Sequence, residues 1–179
     1  MVDRDRELLD GALAGDQDAF AALYRRRQGA IFRFAMQMTG SAEMAEDVTQ
    51  ETFMALLSSG GRFDSSRGTL LSFLYGIARN QVLRRIGQQR NEPLLEHASG
   101  EDMLEDLTRR ESIDLVRRAV LSLPTTYREA VVLCDLGDAS YAEAAQALGC
   151  PVGTVRSRLN RARAMLAQKL GAARGVCNV

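Results

Sequence analysis

The 179-residue sequence has no tryptophan, one histidine, three prolines and three cysteines, and each shortage removes a class of answer. Cys134, Cys150 and Cys177 are far apart and form no CxxC pair, so neither a disulfide framework nor a zinc site is expected. His97 stands alone in a polar stretch and reads as solvated. Pro93, Pro124 and Pro151 each fall at a boundary between periodic segments, not inside one. No apolar run approaches the roughly 20 residues that cross a bilayer, so no membrane insertion is expected. The charged stretch 1–10 lacks the apolar centre of a secretory signal, which makes a cytoplasmic protein the default. Strand-like alternation is absent. No nucleophile–base pair and no phosphate-cradling loop stands out, so neither an enzyme nor a cofactor is expected.

What is present is segregated charge. The net charge is zero, which alone would argue against a nucleic-acid binder. Yet acids crowd residues 1–20, 41–61 and 91–107, while residues 79–90 and 156–169 are basic and contain no acid at all. Such separation suggests basic faces for nucleic acid and acidic faces for other partners.

Helical periodicity runs through most of the chain, giving an all-α reading with two small helical domains joined by a flexible acidic linker. A helix over residues 3–13 is broken at Gly15-Asp16. Phe20, Leu23, Tyr24, Ile31, Phe34, Ala35 and Met38 then form an apolar stripe, with a break expected near Gln28-Gly29. Ser41 is placed to cap the next helix, and Ser58-Ser59-Gly60-Gly61 is a loop signal. A further helix is expected over residues 68–85, closing a first domain at 1–86. Residues 87–105 carry Gly, Pro, Asn, Ser and acids and read as the linker. The second domain, 106–171, opens with a helix whose face is Ile113, Val116, Ala119, Val120 and Leu123. Helices over 127–136, 141–148 and 152–170 follow, and 172–179 is a tail.

The most specific signal lies at residues 140–170. Ser140-Tyr141-Ala142-Glu143 is a capping box, in which hydroxyl and carboxylate satisfy free amide donors reciprocally. Gly149 suits a turn needing a positive backbone angle, and Pro151 starts the following helix without wasting a donor. There Val152, Val155, Leu159, Ala162, Leu166 and Leu170 form one stripe, while Arg156, Ser157, Asn160, Arg161 and Arg163 project elsewhere. A helix-turn-helix that lays its second helix in a major groove is the reading; a basic solvated face on a helical hairpin is the bland alternative.

A second basic face is made by Arg79, Asn80, Arg84 and Arg85, preceded by the polar loop 62–69. Phe63, Phe73 and Tyr75 lie nearby, and rings beside arginines can stack on unpaired bases while the cations hold phosphates. For each ring taken singly, a core role is the simpler reading. Glu43, Glu46, Asp47, Gln50, Glu51 and Met54 form another face. It suits a protein-docking surface or plain solvation, and no nearby histidine supports a metal there.

Together these motifs resemble the extracytoplasmic-function group of bacterial RNA polymerase sigma factors. Ala45-Glu46-Asp47-Val48-Thr49-Gln50-Glu51-Thr52-Phe53 is similar to the polymerase-binding helix of sigma region 2, and Phe73-Leu74-Tyr75-Gly76-Ile77-Ala78-Arg79-Asn80 to the helix that reads the −10 element. Leu123-Pro124, residues 140–143 and Pro151-Val152-Gly153-Thr154-Val155-Arg156-Ser157-Arg158 are similar to region 4. The resemblance spans residues 16–170 and implies roles at matching positions. Glu46, Asp47, Gln50 and Glu51 would dock on the β′ clamp helices of core RNA polymerase, with the β flap as a further contact. Asp64, Ser65, Ser66, Arg67, Gly68 and Thr69, with Phe73, Arg79, Asn80 and Arg84, would hold single-stranded −10 promoter DNA. Thr154, Arg156, Ser157, Arg158, Asn160, Arg161 and Arg163 would contact the −35 duplex. An anti-sigma factor covering both domains is implied as a further partner. Phe73 stands where the family often has tryptophan, Cys134 where some members have arginine, and Asn160 where some have an aromatic residue. A self-sufficient helix-turn-helix repressor or activator, and a small helical hydrolase or metal protein using the acidic helix, are the rival readings.

Overall fold

The structure is a computed structural model that describes residues 4–59, 62–89 and 107–176. Among the described residues there are eight helices: α1 (Arg4–Leu13), α2 (Gln17–Thr39), α3 (Ala42–Ser58), α4 (Leu70–Gln89), α5 (Leu107–Leu121), α6 (Thr125–Cys134), α7 (Tyr141–Leu148) and α8 (Val152–Val176). The acidic segment 90–106, with His97, lies outside the described residues.

The N-terminal half packs α1 and α3 on α2, with α4 closing the bundle. Asp16 caps α2 by accepting from the amides of Asp18 and Ala19, and Gly40 ends it in the left-handed conformation at φ 74°. Only glycine takes that angle without strain. The expected break near Gly29 does not occur: α2 runs through it, because Leu23, Ile31 and Phe34 are buried on either side. That packing outweighs the roughly 1 kcal/mol by which glycine disfavours a helix interior. Ser41 caps α3 as expected, accepting from the Met44 amide at 3.3 Å. Asp5 is buried and holds α1 to α2, accepting from Arg26 Nε at 2.7 Å and Arg27 Nε at 2.6 Å.

In the C-terminal half, α6 and α7 lie against α8. Both halves of the capping box form: the Glu143 amide donates to Ser140 Oγ, and the Ser140 amide to Glu143 Oε2 at 2.9 Å. Gly149 turns the chain at φ 62°. Val155, Leu159 and Ala162 are fully buried beneath α8, about 2 kcal/mol each for the larger side chains. The expected stripe of α5 is only partly buried. Ala119, Val120 and Leu123 pack inward, whereas Ile113 and Val116 remain 43% and 39% exposed, because α5 engages its neighbours near its C-terminal end. Helix α8 extends to Val176, past the expected end near residue 170.

The two halves do not stand apart. Helices α5 and α6 pack on α2, and α7 packs along α4. The buried apolar side chains form one continuous cluster, from Leu9 in α1 to Ala162 in α8. Gly40 lets α5 approach closely, since a Cβ there would come within 2.8 Å of Leu121 Cδ1.

Candidate nucleic-acid interface

Helix α8 carries the first surface. Arg156, Ser157, Asn160 and Arg161 are all exposed, and at 100° per residue they occupy one arc of roughly 140°. The buried stripe Val155, Leu159 and Ala162 fixes that arc outward. Thr154 and Arg158 flank it, half-buried. Arg163 belongs elsewhere: its guanidinium forks onto Asp135 at 2.6 and 2.9 Å. That carboxylate, with the Tyr141 hydroxyl beside it, raises the Arg163 pKa further above its ordinary value. Cys134 is half-buried, and burial, reinforced by the charge of Asp135, pushes its thiol up to about 11.

The second surface is the loop before α4 and the first turns of that helix. Asp64 organises the loop, its Oδ1 accepting from the Ser66 hydroxyl at 2.7 Å and the Ser66 amide at 2.9 Å. These bonds hold the carboxyl below its ordinary range. Ser65, Ser66 and Arg67 stay exposed. Phe63 and Tyr75 are core side chains, 6% and 5% exposed, so the simpler reading holds for both. Phe73 is half-buried, its ring centroid 5.7 Å from that of Phe63. It lines an open groove of about 870 Å³, together with Arg62, Asn80, Gln146, Cys150 and Val152. The groove therefore has walls from both halves of the chain.

Several residues of this second surface are already engaged by α6 and α7. The Thr69 hydroxyl donates to Glu143 Oε1 at 3.1 Å, and the Ser72 hydroxyl to Gln146 Oε1 at 2.5 Å. Arg79 forks onto Glu129 at 2.7 and 3.3 Å, and Glu129 is only 1% exposed. Gly68, at φ 149°, lies directly beneath Gln146, whose Oε1 would be 1.7 Å from a Cβ at that position. Asn80 is exposed and Arg84 is not part of this contact; Arg84 bonds Gln81 and Glu51 instead.

The third surface is α3. Glu46, Asp47 and Gln50 are exposed, as is Met54 at 62%. Glu46 and Gln50 border a shallow pocket with Tyr24, Arg25, Gln28 and Phe32 of α2. Glu51 differs from its neighbours, since Arg85 holds it at 2.6 Å and lowers its carboxyl below the ordinary value. Among the described residues no group of His, Cys, Asp and Glu side chains is placed to hold a metal ion, and no helix is long and apolar enough to cross a membrane.

Sequence reasoning missed Glu129, Gln146 and Arg128. A signal existed for the first: Glu129 directly precedes the apolar run Ala130-Val131-Val132-Leu133, where an acid must be buried with a partner or lie at the edge of the core. Nothing in the sequence names that partner.

The chain matches the description Sigma-70 region 2 over residues 23–92 and Sigma-70, region 4 over residues 113–166. The first match takes in α3, α4 and most of α2, and the second takes in α6, α7 and most of α5 and α8. The ECF RNA polymerase sigma factor SigM of Mycobacterium tuberculosis is 34% identical over 169 residues, covering 93% of this chain and 85% of SigM. Among solved structures, CnrH in complex with the cytosolic domain of CnrY superposes with a TM-score of 0.75 at 29% identity, over 95% of this chain and 99% of that one. The sigma factor RpoE in complex with the anti-sigma factor NepR from Bartonella quintana gives 0.66 at 25% identity, over 85% of this chain and 96% of that one. The chain belongs to the extracytoplasmic-function RNA polymerase sigma factors. It is an alternative sigma factor, acting in transcription initiation with core RNA polymerase; sigma factors are non-catalytic regulators of transcription.

Proposed function

We propose that the three surfaces divide the work of initiation. The exposed side of α3, through Glu46, Asp47 and Gln50 with Glu51 at its edge, docks on the β′ clamp helices of core polymerase, and the C-terminal half meets the β flap. Helix α8 enters the −35 major groove with Arg156, Ser157, Asn160 and Arg161 toward base edges and backbone, flanked by Thr154, Arg158 and Arg163. The loop 64–69, with Phe73, Arg79, Asn80 and Arg84, captures the −10 strand. Binding an extruded base offsets an unstacking cost of a few kcal/mol, so melting is driven by binding and needs no bond-making chemistry from this subunit.

The observation that carries this reading is the outward arc of α8 behind a fully capped α7 and a left-handed Gly149. The chain works in the cytoplasm, where its polymerase is. CnrH and RpoE were solved with CnrY and the anti-sigma factor NepR, and we propose that this chain too is held by an anti-sigma factor. Run-off transcription by core polymerase over a pool of bacterial promoter fragments tests the division. Specific initiation only in the presence of the chain supports it and yields the −35 and −10 sequences. Tight binding to duplex DNA without polymerase, and no initiation, would point instead to a self-sufficient helix-turn-helix regulator.

A further inference from the structure

We propose that Arg6 of α1 is a further residue of the −10 site, holding a phosphate of the single strand beside the base that loop 64–69 captures. This inference rests on the assignment of that loop to the −10 strand. Helix α1 lies ahead of the region 2 match at residues 23–92, and no motif in the sequence gives it a part in DNA binding. The fold nevertheless brings it to the loop. The buried Asp5, held by Arg26 and Arg27, and Leu9, 2% exposed, pin α1 to the bundle. Arg6, next to Asp5, reaches the loop across 59 positions of sequence. Its Nη1 comes to 3.5 Å from Ser65 Oγ, and its Cζ lies 5.9 Å from the centre of the Phe63 ring. Phe63 in turn packs on Phe73, the half-buried ring that lines the open groove. The guanidinium therefore stands at the edge of the surface assigned to the strand.

The contacts of Arg6 suit a phosphate ligand. Both Asp10 carboxylate oxygens accept from Nε, at 3.0 and 3.1 Å, which orients the planar group. The Ser65 contact is at the long limit of hydrogen bonding, so it is easily exchanged for a phosphate oxygen, which accepts more strongly. The side chain keeps 42% of its surface exposed, and its place over Phe63 restrains it before any strand arrives. Arg62 and Arg67 are exposed on the same loop. Positive charge is therefore in excess there, with Arg6, Arg62 and Arg67 against Asp10 and Asp64. The charge of Arg6, after the Ser66 bonds and Arg67, helps to hold the Asp64 carboxyl below its ordinary range, and the same field acts on a phosphate placed beside the loop. Phosphate contacts position a strand and base contacts read it, so Arg6 sets affinity and not sequence preference.

The test compares holoenzymes made from core polymerase and the full chain carrying Arg6→Gln, Arg6→Lys, Arg4→Gln or Asn80→Ala. The probe is a fluorescein-labelled single-stranded 12-mer carrying the −10 sequence obtained from run-off transcription, read by anisotropy over a series of salt concentrations. One phosphate contact on a single strand contributes about 0.7 to the slope of log affinity against log salt, which is about fivefold in affinity at 0.1 M salt relative to 1 M. We expect Arg6→Gln to lose about that much of each, with no change in preference among −10 sequences. Arg6→Lys should keep the slope, since the charge remains. Arg4→Gln removes the same charge from the other side of α1, about 200° around the helix, and should change neither. An affinity loss in Arg6→Gln with the slope unchanged would make Arg6 a support for Phe63 and the loop only, and would overturn the phosphate contact. Equal effects of Arg4→Gln and Arg6→Gln would overturn it too, because they would report net charge alone. Asn80→Ala separates this inference from the reading beneath it. Weaker single-strand binding by Asn80→Ala with no effect of Arg6→Gln removes Arg6 alone, whereas no effect of either removes the −10 assignment as well.

Discussion

Replacing Arg128 by methionine tests whether a single guanidinium holds the corner where the halves meet. Arg128 donates to Met38 O at 2.7 Å, to Leu123 O at 3.1 Å and to Leu121 O. Two of these acceptors lie at helix ends. Met38 is near the last residue of α2, and Leu121 is the last of α5. Carbonyls there have no partner within their own helix and need one from outside. The guanidinium supplies it for both halves and for the α5–α6 turn.

Three hydrogen bonds from a cation, at about 1.5–3 kcal/mol each, would sum to roughly 5–9 kcal/mol if independent. They are not independent of the cost of burying the group. Burial lowers the Arg128 pKa, and its Nε is buried without a partner, so part of the desolvation cost is unrecovered. Methionine removes that cost, keeps most of the aliphatic stem and lets water reach the outer carbonyl. The net loss should be about 2–4 kcal/mol. Urea denaturation followed by far-UV circular dichroism measures it directly, and the thermal midpoint should fall by about 2–4 °C per kcal/mol for a chain of this size. Arg128→Lys should recover no more than about half, because one ammonium cannot span three separated carbonyls. A loss below about 0.5 kcal/mol for Arg128→Met would mean that these carbonyls find water as readily as they find Arg128, and the argument would be wrong.

Leu159→Ala should destabilise the chain by about 2–5 kcal/mol in the same urea assay, because Leu159 is 1% exposed in the core under α8. Arg156→Ala and Arg161→Ala should each weaken binding to −35 duplex by about 1–3 kcal/mol and reduce its salt dependence, with polymerase binding intact; a parallel fall in both activities would indicate misfolding instead. Cys134, with its thiol raised to about 11 from an ordinary 9.0, should alkylate slowly in the folded chain near pH 9 and rapidly in urea, as read by peptide mass spectrometry; equal rates would show the site to be open.

The local features were legible because local rules write them. Ser41, Ser140 with Glu143, and Gly149 each lie where capping and turn chemistry places them, and each followed from a few neighbouring residues. The outward arc of α8 followed from the inward stripe. What the sequence hid is the pairing between halves. Ser72 with Gln146 and Thr69 with Glu143 are each 74 positions apart, and Arg79 with Glu129 is 50 apart. No periodicity relates residues at such distances. The exposure of Ile113 and Val116 was hidden for a related reason, since apolar spacing marks a face able to pack without saying how far along it a partner reaches.

Helix α4 concentrates this difficulty. Leu70, Leu74, Ala78 and Val82 are buried toward the N-terminal bundle, while Ser72 is buried toward α7 and Arg79 reaches α6. A helix covered on two sides has no single apolar stripe, and its second contact is polar, so amphipathic reasoning finds only the first. The same arrangement means that substitution of Arg79 has two effects. It removes a cation proposed to hold the −10 strand, and it leaves Glu129 buried without its partner, which weakens the contact between the halves. The net change in single-strand affinity then mixes the two and does not report a DNA contact. Asn80 and Arg84, outside the α7 contact, carry no such second term. Their loss should weaken single-strand binding without changing the compactness of the free chain, which makes them the cleaner reporters of the −10 surface.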